Sequence, residues 1–189
     1  MRRSLPTELL GVAAGVALPE GLPSATPPAD LSARVLASAA AMPRLGRFAG
    51  AVSGLLGIGH AHALELLRHI DTAARWEASP WPGVALYHLE PHLGDAPIAR
   101  EAITGFVRLG AGGGFPDHEH LGDEVVLIVQ GSCDMEDGSV ARPGDLVARA
   151  PGTHHEFAAR PGPDLVYLAI VRGGVRFGEI VMRPGTPDL

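Results

Sequence analysis

The spacing of apolar and polar positions changes once along the chain. Before residue 79 the apolar residues recur at helical intervals. Asp30 can cap a helix over "LSARVLASAAAM", which stops before Pro43. A second helix is predicted over "RLGRFAGAVSGLLG". A third is predicted over "HAHALELLRHIDTAARWE", with Leu66, Leu67, Ile70 and Ala74 on one apolar stripe. At "SPWPGV" two prolines end this pattern. Short apolar runs between turn signals follow: "VALYHLEP", "ITGFVRLG", "EVVLIVQG", "VARPGDLVARAPG", "DLVYLAIV" and "VRFGEIVM". Runs of this length at near-regular spacing predict an all-β sandwich or barrel. "EDGS" (136–139) and "RPGD" (142–145) are predicted turns.

The pattern gives three segments: a flexible tail over 1–28, a helical segment over 29–78 and a β barrel over 79–189. The tail ends in "LPSATPPAD", whose closely spaced prolines suit a linker. An apolar run from Leu9 to Leu18 follows two arginines. Pro6 and Glu8 interrupt its approach and the run is short, so export is not expected. No stretch has the length of a membrane span.

Composition narrows the function. The chain has 189 residues and a formal charge of −6, and its 15 basic residues, all arginine, form no visible basic stripe of the kind that direct nucleic-acid binding uses. Cys133 is the only cysteine, which excludes a disulfide framework and a multi-cysteine metal site. A cytoplasmic location is the expectation.

The chemistry concentrates in "GGGFPDHEHLGDEVVLIVQG" (112–131). In an extended strand His118, His120 and Glu124 have the same parity, so two imidazoles and a carboxylate would share one face. Such ligands suit Zn, Fe, Mn, Ni or Cu. Gly112 and Gly131 bracket the set, and "GAGGG" before it lets the backbone bend.

These residues resemble the first motif of the cupins: Gly112, five residues, His118-Glu119-His120, three residues, Glu124, six residues, Gly131. The second motif is also matched: Gly144, five residues, Ala150-Pro151-Gly152, two residues, then His155. Ala150 stands where the motif has proline, and Ala159 where it has asparagine. The resemblance implies a mainly β fold, the cupin double-stranded β-helix or jelly-roll barrel, with an N-terminal helical segment. It also implies one divalent metal held by His118, His120, Glu124 and His155 at the barrel mouth. Zn is the first expectation, with Fe, Mn or Ni as alternatives. The alternative role for Glu124 is to orient an imidazole from outside the ligand set.

A narrower likeness runs through "HLGDEVVLIVQGSCDMEDGSVARPGDLVARAPGTHHEF", which is similar to the cupin module of ChrR-type anti-sigma factors, regulators of oxidant responses. Those proteins grip their sigma factor through a zinc module with a His-x3-Cys-x2-Cys site. This sequence has no such motif, which places sigma-factor binding in doubt. Two functions are open. One is a zinc-holding regulator or sensor of an oxidant or small ligand in the barrel mouth. The other is a metal-dependent dioxygenase acting on a small carbonyl or phenolic substrate. A homodimer is a further expectation from the family.

Other residues have plainer readings. His154 is expected on the face opposite His155. Asp117, Glu119 and Asp123 are expected to face solvent or orient an imidazole. His60, His62, Glu65 and His69 lack the His-Glu-x-x-His spacing of a helical metal site. Cys133 is expected to be a small buried hydrophobe, with oxidant sensing as the alternative. Trp76, Trp81 and Tyr167 are expected to pack. Arg108, Arg149 and Arg172 could bind a carboxylate or lie on the outer face.

Overall fold

The computed structural model describes residues 26–185, so residues 1–25 of the expected tail and its apolar run lie outside them. The described residues form two compact units, divided between Ala41 and Met42. The first contains one helix, α1 (Leu31–Ala41), whose first turn is closed by the Arg34 N–H on the Asp30 carbonyl at 2.9 Å. Its Leu31, Val35 and Leu36 are exposed.

The second unit opens with α2 (Ala49–Leu56) and α3 (His60–His69). Gly57 ends α2 in a left-handed conformation at φ 66°, which glycine adopts without a Cβ penalty. The third helix stops well short of the predicted Glu77. The Ile70 carbonyl is taken by the Trp76 indole N–H (2.9 Å) and the Arg108 guanidinium (3.0 Å). Two side chains thus satisfy a group that the next helical turn would have used.

The strands follow: β1 (Glu77–Ala78), β2 (Val84–His88), then a short helix α4 (Ile98–Glu101), β3 (Ala102–Leu109), β4 (Gly114–His120), β5 (Glu124–Gln130), β6 (Cys133–Asp134), β7 (Val140–Ala141), β8 (Leu146–Arg149), β9 (His154–Ala158), β10 (Leu165–Arg172), β11 (Val175–Phe177) and β12 (Ile180–Met182). They form an antiparallel sheet in the order β1-β2-β3-β10-β5-β8 and a second in the order β12-β11-β4-β9, with β6 and β7 as a small hairpin.

The central strands of the large sheet are apolar on both faces, and each face has its own core. Phe106, Leu127, Leu168 and Ile170 point to one side and pack with Phe48, Val52, Leu66 and Leu67 beneath α2 and α3. The alternate residues Val107, Val126, Ile128 and Tyr167 point to the other side, where Phe115 and Phe157 of the small sheet close the barrel. This explains the continuous apolar runs in β5 and β10, since a sheet with one wet face would alternate. Each fully buried Leu or Phe here contributes about 1.5–3 kcal/mol relative to exposure. Glu124 has the parity of Val126 and Ile128, so the sheet that buries them carries its carboxylate inward.

The link from β4 to β5 is held by backbone. The Leu121 N–H donates to the Gly174 carbonyl (2.9 Å), and the Arg172 N–H donates to the Asp123 carbonyl (2.8 Å). A Cβ on Gly122 would lie 2.0 Å from the Arg172 carbonyl oxygen. That contact is with backbone and cannot relax by a rotamer change. Gly122→Ala is expected to destabilise the protein by more than about 2 kcal/mol, read as a lower denaturation midpoint at unchanged slope; Gly138→Ala, whose Cβ meets nothing but whose φ is 79°, reports the cost of the left-handed conformation alone and should lose less.

Candidate metal centre

Three histidines and one glutamate meet inside the barrel from three strands. His118 and His120 lie two residues apart on β4 and share its inner face. His155 comes from β9, directly opposite His118 in the strand register. Glu124 opens β5 in the other sheet. The shared-parity argument for Glu124 therefore does not hold as a single strand, because β4 ends at His120. The clamped turn over 121–123 brings the carboxylate back instead.

The Nε2 atoms of His118 and His155 are 3.1 Å apart. Glu124 Oε2 stands 3.6 Å from His120 Nε2 and 4.0 Å from His155 Nε2. The three imidazoles offer ligand atoms within 4.8 Å of one another. Two nitrogens held by one ion at about 2.1 Å stand roughly 3.0–3.4 Å apart for octahedral to tetrahedral angles, so the His118–His155 spacing fits a common ion.

Burial sets the protonation. It lowers the pKa of all three imidazoles, to about 4 for His120 and about 3 for His155, with the neighbouring His118 and Arg149 adding to the effect. Burial pushes Glu124 up to about 7 against the pull of Arg149. The rings are thus neutral at physiological pH, which is the ligating form. His118 has a fixed tautomer: its Nδ1–H donates to the Pro116 carbonyl at 2.9 Å, which leaves the Nε2 lone pair facing His155. This carbonyl, not Asp117 or Glu119, orients the ring; Glu119 is paired with Arg176 at 2.6 Å.

His120 is the informative residue. It is fully buried, and neither of its ring nitrogens has a hydrogen-bond partner among the described residues. An orphaned buried polar group costs about 1–3 kcal/mol. A divalent cation among the three imidazole nitrogens would satisfy Nε2, so the histidine set fits such an ion, and the Glu124 carboxylate stands 3.6 Å from that atom.

An apolar cavity of about 90 Å³ adjoins the cluster. His118 and Glu124 reach its wall, and Trp81, Phe115, Phe157 and Phe177 supply aromatic surface. Trp81 and Tyr167, expected only to pack, line this space; Trp76 is structural, with the Arg108 guanidinium 3.9 Å from its ring centre. His154 is exposed on the outer face of β9, as the strand alternation predicts. Cys133 is buried and its thiol pKa is raised by that burial, which disfavours the reactive thiolate. His60, His62, Glu65 and His69 form no metal-sized cluster among the described residues.

The sequence profile of the ChrR cupin-like domain matches residues 67–172, more than half of the chain. The chain belongs to the ChrR cupin-like family. Its two antiparallel sheets and inward-facing histidines are the cupin fold. This cupin is similar to a chain in the crystal structure of Rhodobacter sphaeroides SigE in complex with the anti-sigma ChrR, with 21% identity, a TM-score of 0.49, and coverage of 78% of this chain and 70% of that one. It is also similar to the acetylacetone dioxygenase from Acinetobacter johnsonii, with 16% identity, a TM-score of 0.47, and coverage of 56% and 73%. No curated protein matches it. Among the described residues, no helix of the cupin is long and apolar enough to cross a membrane.

Without metal, Glu124 carries a pH signature. A carboxyl with a higher pKa folded than unfolded favours the folded state at low pH, and that contribution is lost as pH rises from its ordinary 4.5 through about 7. Metal-free Glu124→Gln is therefore expected to be more stable than the parent above pH 7, by up to about 3 kcal/mol. The gain should shrink as pH falls towards 4.5. Denaturant titrations of both apoproteins from pH 4.5 to 8.5 measure it, and a constant difference would contradict the assignment.

Proposed function

We propose that this cupin holds one divalent metal through His118, His120, His155 and Glu124 and uses it to bind a small organic ligand in the adjoining aromatic cavity, as a regulatory or sensor protein rather than as a sigma-factor clamp. The observation that carries this reading is His120, fully buried with both ring nitrogens unpaired beside two further neutral imidazoles and a carboxylate. Zinc suits it, because three nitrogens and one oxygen form a common zinc donor set and binding alone needs no redox change.

The chain's own residues divide the work. The Pro116 carbonyl holds the His118 ring in the tautomer that presents Nε2. The β4–β5 turn sets Glu124 against His120 and His155. Trp81, Phe115 and Phe177 are in ring contact and form an apolar wall of the cavity. A bound metal would supply Lewis acidity towards a ligand oxygen.

The same cavity favours a second reading, a dioxygenase acting on a small carbonyl or phenolic substrate, in which the metal is Fe, Mn or Ni. Its apolar, aromatic wall next to His118 and Glu124 suits such a substrate.

Metal analysis of the protein purified without added metal separates the two. About one zinc per chain, with no oxygen uptake on small diketones or phenols, is the expected result. Stoichiometric iron, manganese or nickel with substrate-dependent oxygen uptake would replace the regulator by the oxygenase. In either case the His118→Ala/His155→Ala double variant is expected to lose the metal, and retention of it would overturn both readings.

A further inference from the structure

Among the described residues, Arg149 is the arginine that lines the space beside His155 and Glu124. It ends β8 directly opposite Glu124 in the strand register, so both side chains lie on the inner face of the large sheet. Its Nε atom is buried without a hydrogen-bond partner among the described residues. Its Nη1 has a single, long contact, 3.5 Å to Glu136 Oε2, and that carboxylate is more than half exposed. Arg149, Glu124 and His155 border a second cavity of about 30 Å³. That is room for a carboxylate group or two waters rather than for a whole organic molecule. Glu124, Phe157 and Tyr167 line both this annex and the aromatic cavity, so the two spaces flank the same three side chains.

Glu124, Asp134, Glu136 and Glu156 line the annex with Arg149, and none of them meets its Nε. Asp134 is paired with Arg160. Glu156 is exposed at the rim of the annex. Glu124 faces the imidazoles. Among the described residues Glu136 is the carboxylate in contact with Arg149, at the limit of hydrogen-bond length, while Glu124 lies opposite Arg149 in register without a hydrogen bond to it. A planar guanidinium is shaped to take a carboxylate through two parallel N–H donors, and an unpaired buried Nε is one of those donors.

We propose that Arg149 is an anion-binding residue that takes the carboxylate of a small aromatic or branched organic acid whose apolar body lies in the adjoining cavity, with Glu136 giving up its contact when the acid binds. This names the ligand class for the site proposed above and rests on that reading for its setting, though the Arg149 contact itself needs no metal.

The test is calorimetric titration of benzoate and of its neutral counterpart benzamide into the full chain, with metal content measured on the same samples. Benzoate is expected to bind more tightly than benzamide. Arg149→Gln should weaken benzoate by about 10- to 100-fold with benzamide and metal content unchanged. Arg149→Lys, which keeps the charge but loses the planar fork, should fall between. Glu136→Gln should tighten benzoate, because it removes the competing carboxylate, and a merely structural Arg149–Glu136 pair would not produce that gain. Equal binding of benzoate and benzamide, unchanged benzoate binding in Arg149→Gln, or weakened binding in Glu136→Gln would overturn the proposal. A parent protein that holds no metal but still shows the Arg149-dependent preference would remove the metal reading and leave this one standing.

Discussion

Four polar side chains are buried together inside an apolar barrel, and they satisfy one another only in part. His118 has a carbonyl for one nitrogen, and His155 has His118. His120 has nothing for either nitrogen, and Glu124 stands too far from both neighbouring rings for a hydrogen bond. Burial holds the imidazoles neutral and raises the carboxyl pKa, so the protein does not relieve the cost by forming an ion pair. Such a deficit persists where rigid elements enforce it, and an ion on His120 Nε2 would remove part of it.

The rest of the structure supplies that rigidity. The large sheet is packed on both faces, with α2 and α3 covering one and the small sheet the other. Strands held this way fix the direction of every side chain, so Glu124 follows Val126 and Ile128 inward with no freedom to turn out. The register of β4 against β9 sets His118 opposite His155, and the Gly122 contact with the Arg172 carbonyl fixes the corner between β4 and β5. The aromatic cavity is a consequence of the same arrangement: rings of Phe115, Phe157 and Phe177 fill the inner face next to the histidines without filling the space completely.

Much of this was legible in the sequence, for physical reasons. Strand periodicity and the two histidine spacings identify the barrel, and they pick out three histidines whose ligand atoms lie within 4.8 Å of one another, with Glu124 Oε2 3.6 Å from His120 Nε2 and 4.0 Å from His155 Nε2. The end of the third helix was not legible, because it depends on Trp76 and Arg108 reaching the Ile70 carbonyl from distant positions. Strand β9 did not stand out, since "HHEFA" has little apolar alternation and its pairing with β4 is non-local. The parity argument for Glu124 placed its carboxylate beside the histidines through the wrong geometry, because a turn intervenes. Arg149 was ambiguous between inner and outer faces until its pairing with Glu124 was known. Local pattern fixes element type, whereas caps, corners and charge environments come from contacts between residues far apart in the chain.

The central claim is that one ion sits where these four side chains converge. Crystals of the protein grown with its own metal, measured on both sides of that metal's absorption edge, test it directly. The account predicts one anomalous peak per chain in contact with Nε2 of His118, His120 and His155 and with the Glu124 carboxylate. A metal-containing protein whose only peak lies elsewhere, or a cluster that stays without a peak at saturating metal, would contradict it.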